Sequence, residues 1–204
     1  VDDGDLEVFY QPKFDLRSAR IVGVEALLRW PHREHGLLRP DEFLPLIRRH
    51  GLMGTISEFV LNRSLDDARR WHDAGAHVPV AVNMFAPSLM ELDLPDRISR
   101  ALAERGLSAS SLTVEITEDL LLDTADRTQS VLKDLRRRGI RIAIDDFGTG
   151  YATLSYLRDL PLDEVKIDCQ FIVLIKTDPR TATIVRSVVD LAHALGMTVV
   201  AEGV

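Results

Sequence analysis

The chain has 204 residues, of which 46% are hydrophobic and 28% charged, enough apolar material for the core of one α/β domain. Its net charge of −7 argues against a nucleic-acid polymer as the main partner, because such binding relies on Lys and Arg neutralising phosphates. The single cysteine, Cys169, excludes an internal disulfide and fits a reducing compartment, so the domain is expected in the cytoplasm. No run of about 18 apolar residues is present, so a membrane anchor would have to come from segments not shown. A start at Val1 and a stop at the apolar Val204 lead to the expectation of an excised part of a longer polypeptide, one domain over 1–204.

In chain order, Val8 to Gln11 reads as a short strand closed by Pro12, and Ile21 to Leu28 as a longer one ending at Arg29-Trp30-Pro31. Asp41 opens a helix through His50 with Gly51 as its stop. Thr55 or Ser57 opens a longer one through Ala74, ended by Gly75. Val78 to Asn83 is the next strand, Pro95 to Arg105 a helix, Leu112 to Thr117 a strand, and Asp123 to Arg138 an amphipathic helix stopped by Gly139. Ile140 to Ile144 reads as a strand buried on both faces. Thr149 to Asp159 is a short helix, Glu164 to Asp168 a strand, Thr181 to Leu195 a helix, and Met197 to Glu202 a last strand.

Alternating strands and helices without a Gly/Ser linker predict parallel strands joined by helical crossovers, either as an open doubly wound sheet or as a closed (β/α)8 barrel. The polar residues favour the barrel. Glu25 and Glu115 lie in strands, and Asn83, Asp145-Asp146, Lys166 with Asp168, and Glu202 stand at strand ends. Acids are 32 of 204 residues, so about one strand end in six would carry one by chance. In a barrel those ends converge on one mouth, where barrel enzymes keep their chemistry.

The adjacent carboxylates of Asp145 and Asp146 are costly to desolvate together, and a divalent cation relieves the repulsion by ligation. The plainer reading is a solvated strand end with Asp146 capping a turn. Gly148-Thr149-Gly150 lacks the third glycine of a dinucleotide-binding turn. His32 and His35 have no thiolate beside them and read as a polar loop. Arg136-Arg137-Arg138 reads as a helix end interacting with the helix dipole.

Taken together, Tyr10-Gln11-Pro12, Glu25-Ala26-Leu27 with Arg29, Val82-Asn83, Glu115-Ile116-Thr117-Glu118, Asp145 to Gly150, Lys166-Ile167-Asp168 and Ala201 to Val204 resemble the EAL domain family. The match spans the whole chain in the family's order. That family hydrolyses cyclic di-GMP to linear pGpG. The resemblance implies a modified TIM-like (β/α)8 barrel with an antiparallel first strand, the eighth strand being expected outside this sequence, and two Mg²⁺ or Mn²⁺ ions. Glu25, Asn83, Glu115 and Asp145 would hold one ion; Asp145, Asp146 and Glu202 would hold the other. Lys166 would orient or help deprotonate the attacking water, and Arg29, Gln11 and Leu27 would seat the substrate. Glu118 would hold the loop after Asp146 from behind the ligands.

The resemblance also implies a homodimer through the region around Thr149 to Asp159, with Tyr151, Leu154, Tyr156 and Leu157 as apolar surface, and attachment to other signalling domains. Two positions depart from the family pattern. Asn83-Met84-Phe85 replaces Asn-x-Ser, and Cys169 replaces a common arginine. Besides an active phosphodiesterase, two readings remain. One is a non-catalytic receptor for cyclic di-GMP; the other is a Mg²⁺-dependent barrel enzyme abstracting a proton with Lys166 as base.

Overall fold

The computed structural model describes residues 6–117, 125–148 and 154–204. The chain divides into two units, Val1–Ser88 with Asp96–Thr113 and Leu89–Pro95 with Val114–Val204.

In the first unit, β1 (Glu7–Phe14) pairs antiparallel with β2 (Ile21–His32), placing Gln11 opposite Glu25 and Glu7 opposite Arg29. The hairpin closes through Asp15, whose Oδ1 accepts from the Ser18 amide and hydroxyl, both at 2.7 Å. Pro12 does not end β1 as expected. It lies within the strand opposite Val24, a position that an edge strand tolerates because a missing N–H there costs no ladder bond. Pro31 likewise falls inside β2, whose end turns back into the unexpected three-residue β3 (Gly36–Leu38).

Along β2 the side chains alternate. Ala26 and Leu28 are buried, while Glu25, Leu27 and Arg29 share the other, half-buried face. Then come α1 (Pro40–Arg49), α2 (Met53–Asp73), β4 (Val80–Asn83), α3 (Ala86–Leu89) and α4 (Leu94–Glu104). Ile56, Val60, Leu61, Leu65 and Ala68 recur at helical spacing on α2 and form its buried stripe. Burial of a side chain such as the fully enclosed Leu65 contributes about 1.5–3 kcal/mol, and Leu65→Ala would cost about 2–5 kcal/mol. β4 lies parallel to β2 with Glu25 beside Ala81, so Asn83 emerges on the face that carries Glu25.

β5 (Leu112–Thr117) follows a 3-10 turn. The second unit then holds α5 (Ala125–Arg137), β6 (Arg141–Phe147), α6 (Leu154–Asp159), β7 (Glu164–Ile167), α7 (Cys169–Leu174), α8 (Pro179–Ala194) and β8 (Thr198–Ala201). β6, β7 and β8 are parallel neighbours. Ile142, Ala143 and Ile144 on β6 are fully buried, as the apolar run required. α8 starts at Pro179 rather than Thr181, because Asp178 caps it: its carboxylate accepts from the amides of Arg180 and Thr181, both at 3.1 Å. α7 was not expected; Asp168, read as the end of a strand, caps it instead by accepting from the Gln170 amide at 2.8 Å.

Candidate active site

Successive strands of the second unit bring three of the expected acids around the ammonium of a fourth expected residue. Lys166 on β7 is 1% exposed, and its Nζ lies 2.8 Å from Asp145 Oδ1, 2.8 Å from Glu202 Oε1 and 3.3 Å from Glu115 Oε2. Glu115 on β5 is fully buried, Asp145 on β6 is nearly so, and Glu202 directly follows β8. The Glu202 amide donates to the Ile167 carbonyl at 3.2 Å, which extends the β7–β8 pairing past Ala201 and fixes where the carboxylate leaves the sheet.

The Asp145-Asp146 doublet is set by a break in register. Ile144 pairs with Val165 and Phe147 with Ile167, so two aspartates on β6 face the single Lys166 on β7. This is the geometry of a β-bulge, which re-aims side chains next to active sites. Asp146 takes φ +53°, a left-handed conformation in which a non-glycine residue is strained, and its amide donates to Asp145 Oδ1 at 3.0 Å. Burial, then the neighbouring charges of Asp145 and Asp168, push the Asp146 carboxyl up to about 6, with Lys166 opposing. Carboxylate oxygens of Asp145, Asp146 and Glu202 lie within 4.8 Å of one another. This donor set is entirely hard oxygen carrying mutually repelling charge, which fits a hard divalent cation.

In the first unit, the structure brings Glu25 and Asn83 together: the Asn83 amide Nδ2 donates to Glu25 Oε1 at 3.1 Å. Gln11 stands opposite Glu25 on the exposed strand β1. Leu27 and Arg29 follow Glu25 on the same face of β2, and Arg29 Nη1 donates to the Leu28 carbonyl at 2.8 Å. Phe85, one of the two departures from the family pattern, is half-buried just past β4, and Cys169, the other, is exposed at the start of α7.

Glu118 lies outside the described residues, as do Thr149, Gly150 and Tyr151. Of the apolar residues expected to offer dimer surface, Leu157 is 1% exposed and belongs to the core. His32 Nδ1 accepts from the amides of Glu34 and His35 at 3.2 and 3.3 Å, which accounts for it as a turn residue. The basic run pairs locally: Arg136 with Asp163, and Arg137 and Arg138 with Asp134. The sequence reading missed the role of Asp168 beside Asp146, and it missed the bulge. A doubled acid where one residue completes the strand register was the signal for the bulge.

These elements, an antiparallel first strand followed by parallel strands with acids at their ends, define a TIM-like α/β class. Within that class the chain belongs to the EAL domain family, whose pattern it matches over residues 1–204. It is 42% identical over 203 residues to the cyclic di-GMP phosphodiesterase NbdA of Pseudomonas aeruginosa, covering 99% of this chain and 26% of that protein. It is also 42% identical over 200 residues to the bifunctional diguanylate cyclase/cyclic di-GMP phosphodiesterase MucR of the same organism, covering 98% of this chain and 29% of that protein. The chain thus spans roughly a quarter of the length of these curated relatives. Among solved structures, the MucR phosphodiesterase in complex with c-di-GMP superposes with a TM-score of 0.91 at 42% identity, over 98% of this chain and 81% of that one. The EAL enzyme Bd1971 in its cAMP- and cyclic-di-GMP-bound form gives a TM-score of 0.92 at 30% identity, over 99% and 56%.

Proposed function

We propose that this chain is a phosphodiesterase domain that hydrolyses cyclic di-GMP to linear pGpG with two Mg²⁺ or Mn²⁺ ions. The observation that carries this reading is the buried Lys166 ammonium held by Glu115, Asp145 and Glu202, with Asp146 aligned beside them by the bulge. Asp145, Asp146 and Glu202 are the proposed ligands of one ion, and Glu25, Asn83, Glu115 and Asp145 those of the other. Such ions, when bound, supply Lewis-acid polarisation of a phosphoryl oxygen and a water of lowered pKa.

The side chains supply the rest. With the proposed ions holding the acids, Lys166 Nζ would be released from part of its carboxylate contacts to donate a hydrogen bond to a water oxygen, leaving a lone pair of that water for phosphorus. The contacts it keeps among Asp145 and Glu202, each 2.8 Å from Nζ, fix that direction. Arg29 offers a guanidinium to a non-bridging phosphate oxygen, and Gln11 and Leu27 border the position on the same strand pair. The water oxygen forms a bond to phosphorus as the bond from phosphorus to the 3′ oxygen breaks, and the proton released ends on that leaving oxygen.

The full-length protein incubated with Mn²⁺ and cyclic di-GMP should give pGpG on chromatography. Tight binding without any product would point to the receptor role instead, and neither binding nor product would remove both readings. By analogy with its longer relatives, the domain is also proposed to work attached to other signalling domains.

A further inference from the structure

We propose that Phe171 on α7 is a positioning residue for the Asp145-Asp146 pair, and that the same short helix positions Glu202 through Cys169. Gly148 takes φ +104°, and a Cβ there would lie 2.8 Å from Phe171 Cε2 and 3.1 Å from Cζ. The ring therefore occupies the space that any side chain at this position would need. Gly203 takes φ +70°, and a Cβ there would meet the Cys169 Cβ at 2.6 Å. Each glycine closely follows a proposed ligand: Gly148 comes two residues after Asp146, and Gly203 directly after Glu202.

Cys169 and Phe171 are two residues apart on a helix, so they point to nearly opposite sides of it. α7 is thus wedged between the chain leaving β6 and the chain leaving β8. Its own start is fixed by the Asp168 cap, immediately after β7 carries Lys166. The left-handed Asp146 persists only where the surroundings over-determine it. On its C-terminal side the constraint is the buried Phe147 followed by Gly148 pressed under the Phe171 ring. Supporting contacts of this kind orient metal ligands without touching the metal.

This inference rests on the phosphodiesterase reading for its object, but it can be tested separately. In metal-free protein, Phe171→Ala should shift the backbone amide resonance of Gly148. It should also weaken Mn²⁺ affinity, measured calorimetrically, by about tenfold or more. The loss in hydrolysis should fall on kcat, with KM changed less than about threefold, because the substrate-seating face on β2 is untouched. Phe171→Leu, which keeps apolar bulk on Gly148, should recover most of the affinity, and it carries the test if the alanine variant does not fold. Val131→Ala, a core truncation on α5, serves as the control for general destabilisation. If the Phe171 variants match Val131→Ala in Mn²⁺ affinity and leave the Gly148 amide in place, the positioning role is overturned. If Gly148 shifts while the wild-type chain neither binds Mn²⁺ nor hydrolyses cyclic di-GMP, the positioning role stands and the functional reading fails.

Discussion

Lys166 Nζ sits 2.8 Å from Glu202 Oε1 with the lysine 1% exposed, so a full positive charge is held out of water by carboxylates of neighbouring strands. Removing one partner of such a buried arrangement is far more damaging than the arrangement is stabilising, because the remaining charges lose their compensation.

Lys166→Met is therefore expected to lower the stability of the metal-free protein by about 3–5 kcal/mol. Mn²⁺ should restore a large part of that loss, since a cation can take over the compensation of Asp145, Asp146 and Glu202. Denaturant titrations with and without Mn²⁺ check this. Hydrolysis should fall on the order of 100-fold or more even when the protein is metal-saturated, because methionine offers no N–H to orient a water. Unchanged metal-free stability would show that Lys166 does not balance the acids.

Glu25→Gln is expected to cut hydrolysis on the order of 100-fold or more while leaving the fold intact. The swap keeps volume and leaves the Asn83 amide an oxygen to donate to, but it removes a negative charge. Circular dichroism should be unchanged and Mn²⁺ binding weaker. Wild-type turnover with unchanged metal affinity would remove Glu25 from the ligand set.

Replacing Mg²⁺ with Ca²⁺ should allow cyclic di-GMP to bind but suppress its hydrolysis. The larger ion takes more oxygen ligands at longer distances and acidifies water less. Equal rates in the two metals, measured by product chromatography, would contradict a mechanism that needs a metal-activated water.

The candidate site could be singled out in the sequence because strand ends are marked by composition. The apolar run Ile140 to Ile144 followed by two acids could be read as a strand end without any structure. What local pattern could not show is that Glu115 and Lys166, 51 residues apart, meet at 3.3 Å; the barrel reading gathered their strand ends at one mouth without fixing which side chains touch. α7 escaped notice because six residues are too short for a helical period to emerge, and because Asp168 looked like one more strand-end acid. Pro12 was misread for a different reason: its rule applies to central strands, and β1 is at the edge of the pairing.

Tyr10→Phe tests the packing of β1 on α2. The Tyr10 hydroxyl donates to Asp67 Oδ2 at 2.7 Å, and burial followed by this bond raises the phenol pKa above its ordinary value. Asp67 also accepts from Arg63 at 3.2 Å and Arg70 at 2.8 Å, so its charge stays compensated in the variant. The Tyr10 ring keeps its edge contact with Trp71 at 4.8 Å. The expected cost is about 1 kcal/mol in urea unfolding, with hydrolysis unchanged. A loss several times larger would mean that the hydroxyl holds more than this one bond.

Asp178 gives a pH dependence whose sign follows from its cap. The hydrogen bond from the Thr181 hydroxyl at 2.6 Å, then those from the Arg180 and Thr181 amides, hold its carboxyl below the ordinary carboxylate pKa. The folded state therefore binds this proton less readily than the unfolded chain does. The cap's contribution is fully present above the unfolded value of about 4, and it is lost as pH falls through the lower folded value. Asp178→Ala should lower the melting temperature at pH 7 and flatten the part of the acid-limb slope that this group supplies. Asp178→Asn, a good neutral cap, should keep most of the pH 7 stability while also losing that slope. Melting curves of the three proteins from pH 7 down to pH 3 make the comparison. Parallel slopes in all three would show that the α8 cap does not titrate as its geometry requires.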